Sequence, residues 1–168
     1  MASNRVTPLT HERVLATLDR MGAGYTVDSD GDLLSIWDGN AFYIYLLGEG
    51  DILQVLGSWG RIVPNTEFEK ILLGANDVHA SRLYPHISVE QGDGGLRIST
   101  RHPGDFQHGA TDDQLTLHIT NALSSALAYF NELDAQVPRR RARGLQPVGR
   151  RPEALGVVSG RPHRRTHH

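Results

Sequence analysis

Apolar residues recur at helical spacing in three parts of the chain. Thr10 can cap the first helix, and a second helix of about three to four turns follows Pro64. The third helix is the longest, because Thr111 and Gln114 form the pattern of a capping box and the periodicity continues until Pro138. The apolar stripes consist of Val14, Leu15, Leu18 and Met21 in the first helix, Phe68, Ile71, Leu72 and Ala75 in the second, and Leu115, Ile119, Ala122, Leu123, Ala126, Leu127, Phe130 and Leu133 in the third.

Between these helices the hydrophobic period falls to two, which is typical of strands. The predicted strands are Tyr25 to Val27, Leu33 to Trp37, Ala41 to Leu47, Ile52 to Trp59, Pro85 to Glu90 and Leu96 to Thr100. Asp30-Gly31 and Asp38-Gly39 are hairpin turns, so the first four strands form an antiparallel meander. The third strand is apolar on both faces, and we expect it to lie centrally with cover on both sides.

The element order α-β-β-β-β-α-β-β-α predicts an α+β fold: an antiparallel sheet of about six strands with helices packed on it. With 168 residues the chain has room for one domain with a core. We assign this domain to residues 1–137. The segment 138–168 loses all hydrophobic periodicity and is rich in arginine, glycine and proline, so we expect it to be disordered.

Charge divides the chain at the same place. Residues 1–137 hold 8 basic and 18 acidic side chains, a net charge of −10, whereas residues 138–168 hold 9 and 1, a net charge of +8. An acidic domain repels phosphate backbones, so any affinity for nucleic acids has to come from the tail. The tail arginines that could contact a polyanion are Arg139, Arg140, Arg141, Arg143, Arg150 and Arg151.

Several kinds of chemistry find no support in the sequence. There is no cysteine, hence no disulfide, thiol nucleophile or cysteine zinc site. Asp28, Asp30 and Asp32 alternate as in a calcium loop, but Leu33 and Gly39 occupy the positions where that loop needs glycine and glutamate, so a polar hairpin turn is the favoured interpretation.

The histidines show no metal-binding spacing, and we expect neither a cofactor nor a metal. His102 and His108 flank a Pro-Gly-Asp loop and could meet Asp105 in space, although loop histidines are usually solvated polar residues. We therefore expect a protein that is not an enzyme. The absence of a long apolar run and of a basic-then-apolar N-terminus favours a cytoplasmic protein without a membrane anchor.

Four aromatic residues on predicted strands have two interpretations. Trp37, Tyr43, Tyr45 and Trp59 are either core and sheet-face residues or part of a groove that binds a partner. Core packing is the more common role of such residues, and both alternatives stay open at the level of the sequence.

A set of local motifs resembles the YbjN family, also described as bacterial sensory transduction regulators. The motifs are Gly31-Asp32-Leu33, Trp37-Asp38-Gly39, the aromatic strand Phe42 to Leu47, Gln54-Val55 before Trp59, Leu83-Tyr84-Pro85 and His108-Gly109-Ala110-Thr111-Asp112-Asp113-Gln114-Leu115. The resemblance covers roughly residues 8–137, and the start of the third helix is its most specific part. The family is similar in fold to type III secretion chaperones, which commonly dimerise and bind segments of other proteins without catalysis.

The resemblance therefore implies a chaperone-like or regulatory module that binds a protein partner, and we expect a homodimer. The partner would dock on a sheet face or in a groove between helices. The alternative is binding of nucleic acid or another acidic surface through the tail.

Overall fold

The computed structural model describes residues 3–139, and the fold of this part agrees with the predicted order of elements. Its helices are α1 (His11–Arg20), α2 (Phe68–Ser81) and α3 (Asp112–Gln136), and its strands are β1 (Thr26–Val27), β2 (Leu33–Trp37), β3 (Asn40–Leu47), β4 (Ile52–Ser58), β5 (His86–Gly92) and β6 (Gly95–Asp105). A 3-10 turn, Asn65–Glu67, precedes α2. The α+β class is confirmed. The domain boundary after residue 137 stays a prediction, because the segment from 140 onward lies outside the described residues.

All six strands form one antiparallel sheet in the order β1-β2-β3-β4-β6-β5. The predicted meander accounts for the first four strands, which are neighbours both in sequence and in space. Between β2 and β3, Asp38 and Gly39 have φ values of 51° and 79°. Two successive positive φ angles are what a two-residue hairpin of matching twist requires, and glycine accepts this conformation without steric cost.

The sixth strand is longer than the sequence pattern predicts. It was expected to end at Thr100 and to be followed by a loop, but it continues to Asp105 along β4, where Pro103 pairs with Gln54. On its other side β6 has no strand partner beyond Arg101 among the described residues, and Arg101 pairs with the first residue of β5. Proline has no N–H to donate, so it is tolerated in a strand at a position that has a neighbour on one side only.

Helix starts follow the local capping signals. The Thr10 side chain accepts a hydrogen bond from the backbone of Arg13, at 3.2 Å. At α3, Thr111 accepts from the Gln114 backbone and donates its own N–H to the Gln114 side chain at 2.8 Å, so the predicted capping box is present. Each cap satisfies N–H groups that have no partner within the helix.

The helices cover one face of the sheet, which we call the inner face. Its central residues are fully buried: Phe42 and Ile44 on β3, and Leu53 and Val55 on β4. Phe130 of α3 packs on Phe42 with ring centroids 6.2 Å apart. The expectation that β3 is covered on both sides is wrong, since its alternate residues on the opposite face are only half-buried or exposed.

Candidate protein-binding face

The face of the sheet opposite the helices is apolar but remains accessible. Side chains alternate along a strand, so every second residue of β2, β3 and β4 points to this side. We call it the outer face and define it by Leu34, Ile36, Ala41, Tyr43, Tyr45 and Leu56. Ile36 is 61% exposed, and the other five are half-buried. A monomeric protein rarely leaves contiguous apolar surface of this kind without a binding role.

A shallow groove of about 480 Å³, the outer groove, crosses this face near the β2–β3 turn. It is lined by Thr26, Leu34, Ile36, Gly39, Ala41, Tyr43, Ser58, Trp59 and Gly60. None of these residues is charged, and the side chains that come from β2 and the start of β3 are mainly apolar. Such a groove suits the apolar side chains of a peptide segment better than a charged ligand.

Two polar residues on the outer face are paired with each other. Tyr45 and Gln54 lie directly opposite on β3 and β4, and the Gln54 amide donates a hydrogen bond to the Tyr45 hydroxyl at 2.7 Å. Gln54 is buried, so this bond satisfies a group that would otherwise be costly to desolvate. Burial, and to a lesser extent the carboxylate of Asp28, raise the pKa of the neighbouring Tyr43.

The structure separates the four aromatic residues that were predicted to bind a partner. Tyr43 and Tyr45 lie on the outer face, whereas Trp37 and Trp59 lie on the side of the helices. Trp37 donates to the Ser35 hydroxyl at 2.8 Å, next to the core. Trp59 is only 3% exposed, and its indole N–H donates to Asp134 of α3 at 3.1 Å. The fold therefore does not bring the side chains of all four residues together in a single site.

The two aliphatic residues of β2 were missed as site candidates. Leu34 and Ile36 alternate with the buried Leu33 and Ser35, so the period of two did place them on a common face. The signal was hidden because both faces of the run carry apolar residues and its one polar residue, Ser35, lies on the covered face, so the pattern does not say which face is covered.

Of the tail arginines, Arg139 is exposed next to the end of α3. Arg140, Arg141, Arg143, Arg150 and Arg151 lie outside the described residues.

A partly buried group of aromatic and histidine rings lies on the inner face, where β6 meets α3, with His102 its most buried member. The ring centroid of His102 is 4.0 Å from that of Tyr84 and 4.8 Å from that of His118. The His118 Nε2 is 3.0 Å from the Leu53 carbonyl oxygen. Gly104 makes room for this ring, since a Cβ at that position would lie 2.6 Å from the His118 ring.

Both histidines are held towards the neutral state. Burial, with smaller contributions from His118 and His86, lowers the pKa of His102 to about 4. Burial also lowers the pKa of His118, against the opposing effect of its hydrogen bonds to the backbone at Leu53 and His102. The suggestion that His102, His108 and Asp105 meet in a loop is wrong, because His102 lies in β6 and faces the core. His108 is exposed.

The carboxylates of the first hairpin have a structural role. The Asp28 side chain accepts hydrogen bonds from the backbone N–H groups of Asp30 and Asp32, both at 2.9 Å, and so closes the turn. Burial, followed by the repulsion of Asp28 and Asp30, raises the pKa of Asp32. Within residues 3–139, no group of three or more histidine, aspartate or glutamate side chains is arranged to hold a metal ion. No helix in this described part is long and apolar enough to cross a membrane.

These features define a class of protein: an α+β domain in which helices cover one face of a six-stranded antiparallel sheet and leave an apolar groove on the other. The model of the YbjN family, described as "Putative bacterial sensory transduction regulator", matches residues 10–135. The chain belongs to the YbjN family. No curated protein sequence matches it.

Three solved structures are similar to this chain at low sequence identity. The crystal structure of YbjN from E. coli, described as a "putative transcription regulator", has a TM-score of 0.69 at 14% identity and covers 79% of this chain and 96% of its own. The HopA1–SchA chaperone–effector complex has a TM-score of 0.49 at 11% identity, with 74% and 97% covered. The Yersinia pestis type III secretion chaperone SycH, in complex with a stable fragment of YscM2, has a TM-score of 0.46 at 10% identity, with 71% and 98% covered. At 14% identity, the fold is what this chain and the E. coli YbjN structure share.

Proposed function

We propose that this chain is a non-enzymatic, protein-binding regulatory module and that its partner binds on the outer face. The observation that carries the proposal is the apolar, accessible surface around Ile36, which borders a groove without charged side chains. Burying apolar surface is the main favourable contribution to most protein association. The regulatory part of the proposal is supported by the family description and by that of the E. coli relative.

The edge of the sheet next to the groove suits an extended segment of a partner. The short strand β1 pairs only with Leu33 and Leu34 of β2. Ser35 has Gly24 beside it, since its hydroxyl donates to the Gly24 carbonyl oxygen at 2.7 Å. Within residues 3–139, Ile36 and Trp37 have a strand neighbour on the β3 side alone. A peptide added here would form main-chain hydrogen bonds with β2 while its alternate side chains entered the outer groove.

The absence of an enzymatic role is part of the same proposal. The two neighbouring histidines of the inner face, His102 and His118, are buried and half-buried between β6 and α3, on the side of the sheet opposite the groove. A general acid or base has to reach its substrate, whereas these rings contact Tyr84 and Phe106.

A matched pair of substitutions tests the binding face. Ile36 on the outer face is 61% exposed and Leu117 on α3 is 59% exposed, so Ile36→Glu and Leu117→Glu introduce the same charge at equally accessible sites. Affinity capture from lysate with both variants and the wild type, followed by quantitative mass spectrometry, compares what each retains. We expect proteins held by the wild type and by Leu117→Glu to be depleted at least tenfold with Ile36→Glu. Equal retention by all three would contradict the proposal.

Assembly and location stay predictions from the sequence. The expected homodimer is measured by light scattering coupled to size-exclusion chromatography of the full chain, and a monomer mass at high concentration would count against it. The cytoplasmic location is likewise a prediction from the sequence.

Polyanion binding by the tail arginines is the second function that the sequence allows. If the tail binds polyanions, the affinity of the full chain for DNA or RNA should fall steeply as the salt concentration rises.

A further inference from the structure

The outer groove and the end of α3 lie at the same end of the sheet, on opposite faces. Asp134, in the last turn of α3, accepts hydrogen bonds from the side chains of Trp59 and Arg61, at 3.1 and 3.3 Å. Trp59 and its neighbours Ser58 and Gly60 line one end of the groove. Lys70 of α2 holds the end of the same helix by donating to the Gln136 carbonyl at 3.0 Å. The chain beyond residue 139 therefore begins on the helix side of the sheet, at the same end of β4 as the groove, and reaches the groove only by passing round the sheet.

The composition of this segment complements the groove and its surroundings. Its longest apolar run is Ala154, Leu155, Gly156, Val157 and Val158, and arginines precede and follow this run. The groove offers apolar side chains, and the acidic residues near it are Asp38, in the turn that contributes Gly39, and Asp28, which acts on Tyr43. Over the whole chain, a segment of charge +8 follows a domain of charge −10. Apolar and electrostatic attraction thus favour the same contact.

The length of the segment is sufficient for this contact. Fifteen peptide units join residue 139 to residue 154, and an extended chain spans up to about 3.3 Å per residue, or roughly 50 Å. The groove crosses three to four strands, a distance of about 15–20 Å. A tethered segment reaches an effective concentration in the millimolar range, so even a weak contact is populated.

We propose that the apolar run of residues 154–158 binds intramolecularly in the outer groove, with the adjacent arginines near the acidic residues at its rim. The folded domain of a second copy is a poorer occupant of this groove, because it is acidic and would come against a rim that already carries Asp28 and Asp38. One consequence rests on the proposed function. If the partner also binds on the outer face, the segment competes with the partner for the groove. Binding of a partner then requires release of residues 154–158.

Paramagnetic relaxation enhancement in the full chain tests the contact directly. The chain has no cysteine, so Ser159→Cys, placed just after the apolar run, provides one site for a nitroxide label. We expect the backbone amide signals of Leu34, Ile36 and Ala41 to lose more than half of their intensity. Signals of α1, such as that of Glu12, report the opposite side of the sheet and are expected to keep most of theirs.

A tail variant and a mixing experiment complete the design. Replacing Leu155, Val157 and Val158 by serine leaves the arginines and the label in place, and is expected to restore the outer-face signals. Equal broadening with and without these three substitutions, or no broadening at the groove, would overturn the proposal. In a mixture of isotope-labelled chains without nitroxide and unlabelled chains with it, broadening at Ile36 would show that the segment comes from a second copy, which also overturns the intramolecular contact.

The two proposals fail separately. Loss of the relaxation effect leaves the comparison of Ile36→Glu with Leu117→Glu untouched. Conversely, identical capture by those two variants would remove the partner site but would not affect the distances measured to the nitroxide.

Discussion

The guanidinium of Arg13 lies 2.9 Å from the carboxylate of Asp112, which joins α1 to the first turn of α3. The same guanidinium donates to the backbone carbonyl oxygens of Thr7 and Ala110, at 2.6 and 2.9 Å. Thr7 and Ala110 also form a small antiparallel bridge. One partly buried side chain thus connects the N-terminal segment, α1 and the start of α3.

Arg13→Ala is expected to lower the free energy of unfolding by about 2 kcal/mol, because hydrogen bonds from a charged donor to partly buried carbonyls are lost. Urea denaturation at pH 7 measures this, with Arg5→Ala at an exposed position as the control. Arg13→Lys should recover only part of the loss, since an ammonium cannot reproduce the forked geometry of a guanidinium. Equal stability of Arg13→Ala and the control would contradict the role of this contact.

The effect of Arg13 should also depend on pH. The backbone N–H of Ser3, and then Arg13, hold the pKa of Asp112 below its usual value of 3.8. A lowered carboxyl pKa stabilises the folded chain at pH values above the ordinary pKa of 3.8. This stabilisation is lost as the pH falls through the lowered pKa. The difference between Arg13→Ala and the wild type is therefore expected to be largest above pH 4 and to shrink below it.

His102 is expected to make the domain less stable in mild acid. Its pKa is about 4 in the folded chain and near 6.5 when unfolded, so protons bind preferentially to the unfolded state. The stability of the folded chain is therefore highest above pH 6.5 and falls progressively as the pH drops towards 4, with a total loss of about 3 kcal/mol. His102→Phe keeps a ring against Tyr84 but cannot titrate, so its stability should change less over this range.

The control for His102 is His108→Phe, since His108 is exposed and outside the buried group. It should follow the wild-type profile of unfolding free energy against pH. An NMR titration of the His102 ring protons gives the folded pKa independently, and a value near 6.5 would contradict the assignment.

Gly57 on β4 is expected to tolerate no side chain. A Cβ there would lie 2.6 Å from the Thr100 hydroxyl and 2.8 Å from the Phe42 ring, with Phe130 of α3 at 3.3 Å. Because neighbours in a packed core cannot all move away, Gly57→Ala should cost about 2–3 kcal/mol. Gly94→Ala is the matched control, since a Cβ in that turn meets nothing within 4 Å. Thermal unfolding of both variants gives the comparison, and similar melting temperatures would show that α3 does not pack against β4 as described.

Removing the Tyr45 hydroxyl is expected to leave a buried amide without its partner. Tyr45→Phe should lower the free energy of unfolding by about 1–2 kcal/mol, because the Gln54 side chain stays buried and loses its hydrogen bond. Adding Gln54→Leu removes the unsatisfied group and should recover most of this loss. A double-mutant cycle from urea unfolding measures the coupling, and additive effects would show that the two side chains act independently.

The local elements were predictable because their causes lie within a few residues of each other. The caps at Thr10 and Thr111 and the turn at Asp38-Gly39 are determined by hydrogen bonds and backbone preferences of neighbouring positions. The order of helices and strands followed from the change between the two hydrophobic periods.

Other features arise only when distant segments pack together. The extension of β6 through Pro103 depends on where β5 ends, and no property of residues 101–105 alone indicates it. The pairing of His102 with His118 joins a strand and a helix, and their lowered pKa values come from burial that the fold creates.

The candidate site shows the same division. The sequence by itself determined that β2 and β3 are apolar strands joined by a tight turn, and that the charge changes sign after residue 137. Only the tertiary structure decided that the helices cover the face of Trp37 and Phe42 and leave that of Ile36 and Tyr43 accessible. Alternation assigns residues to two faces, but the side on which helices pack is selected by contacts between residues far apart in the chain.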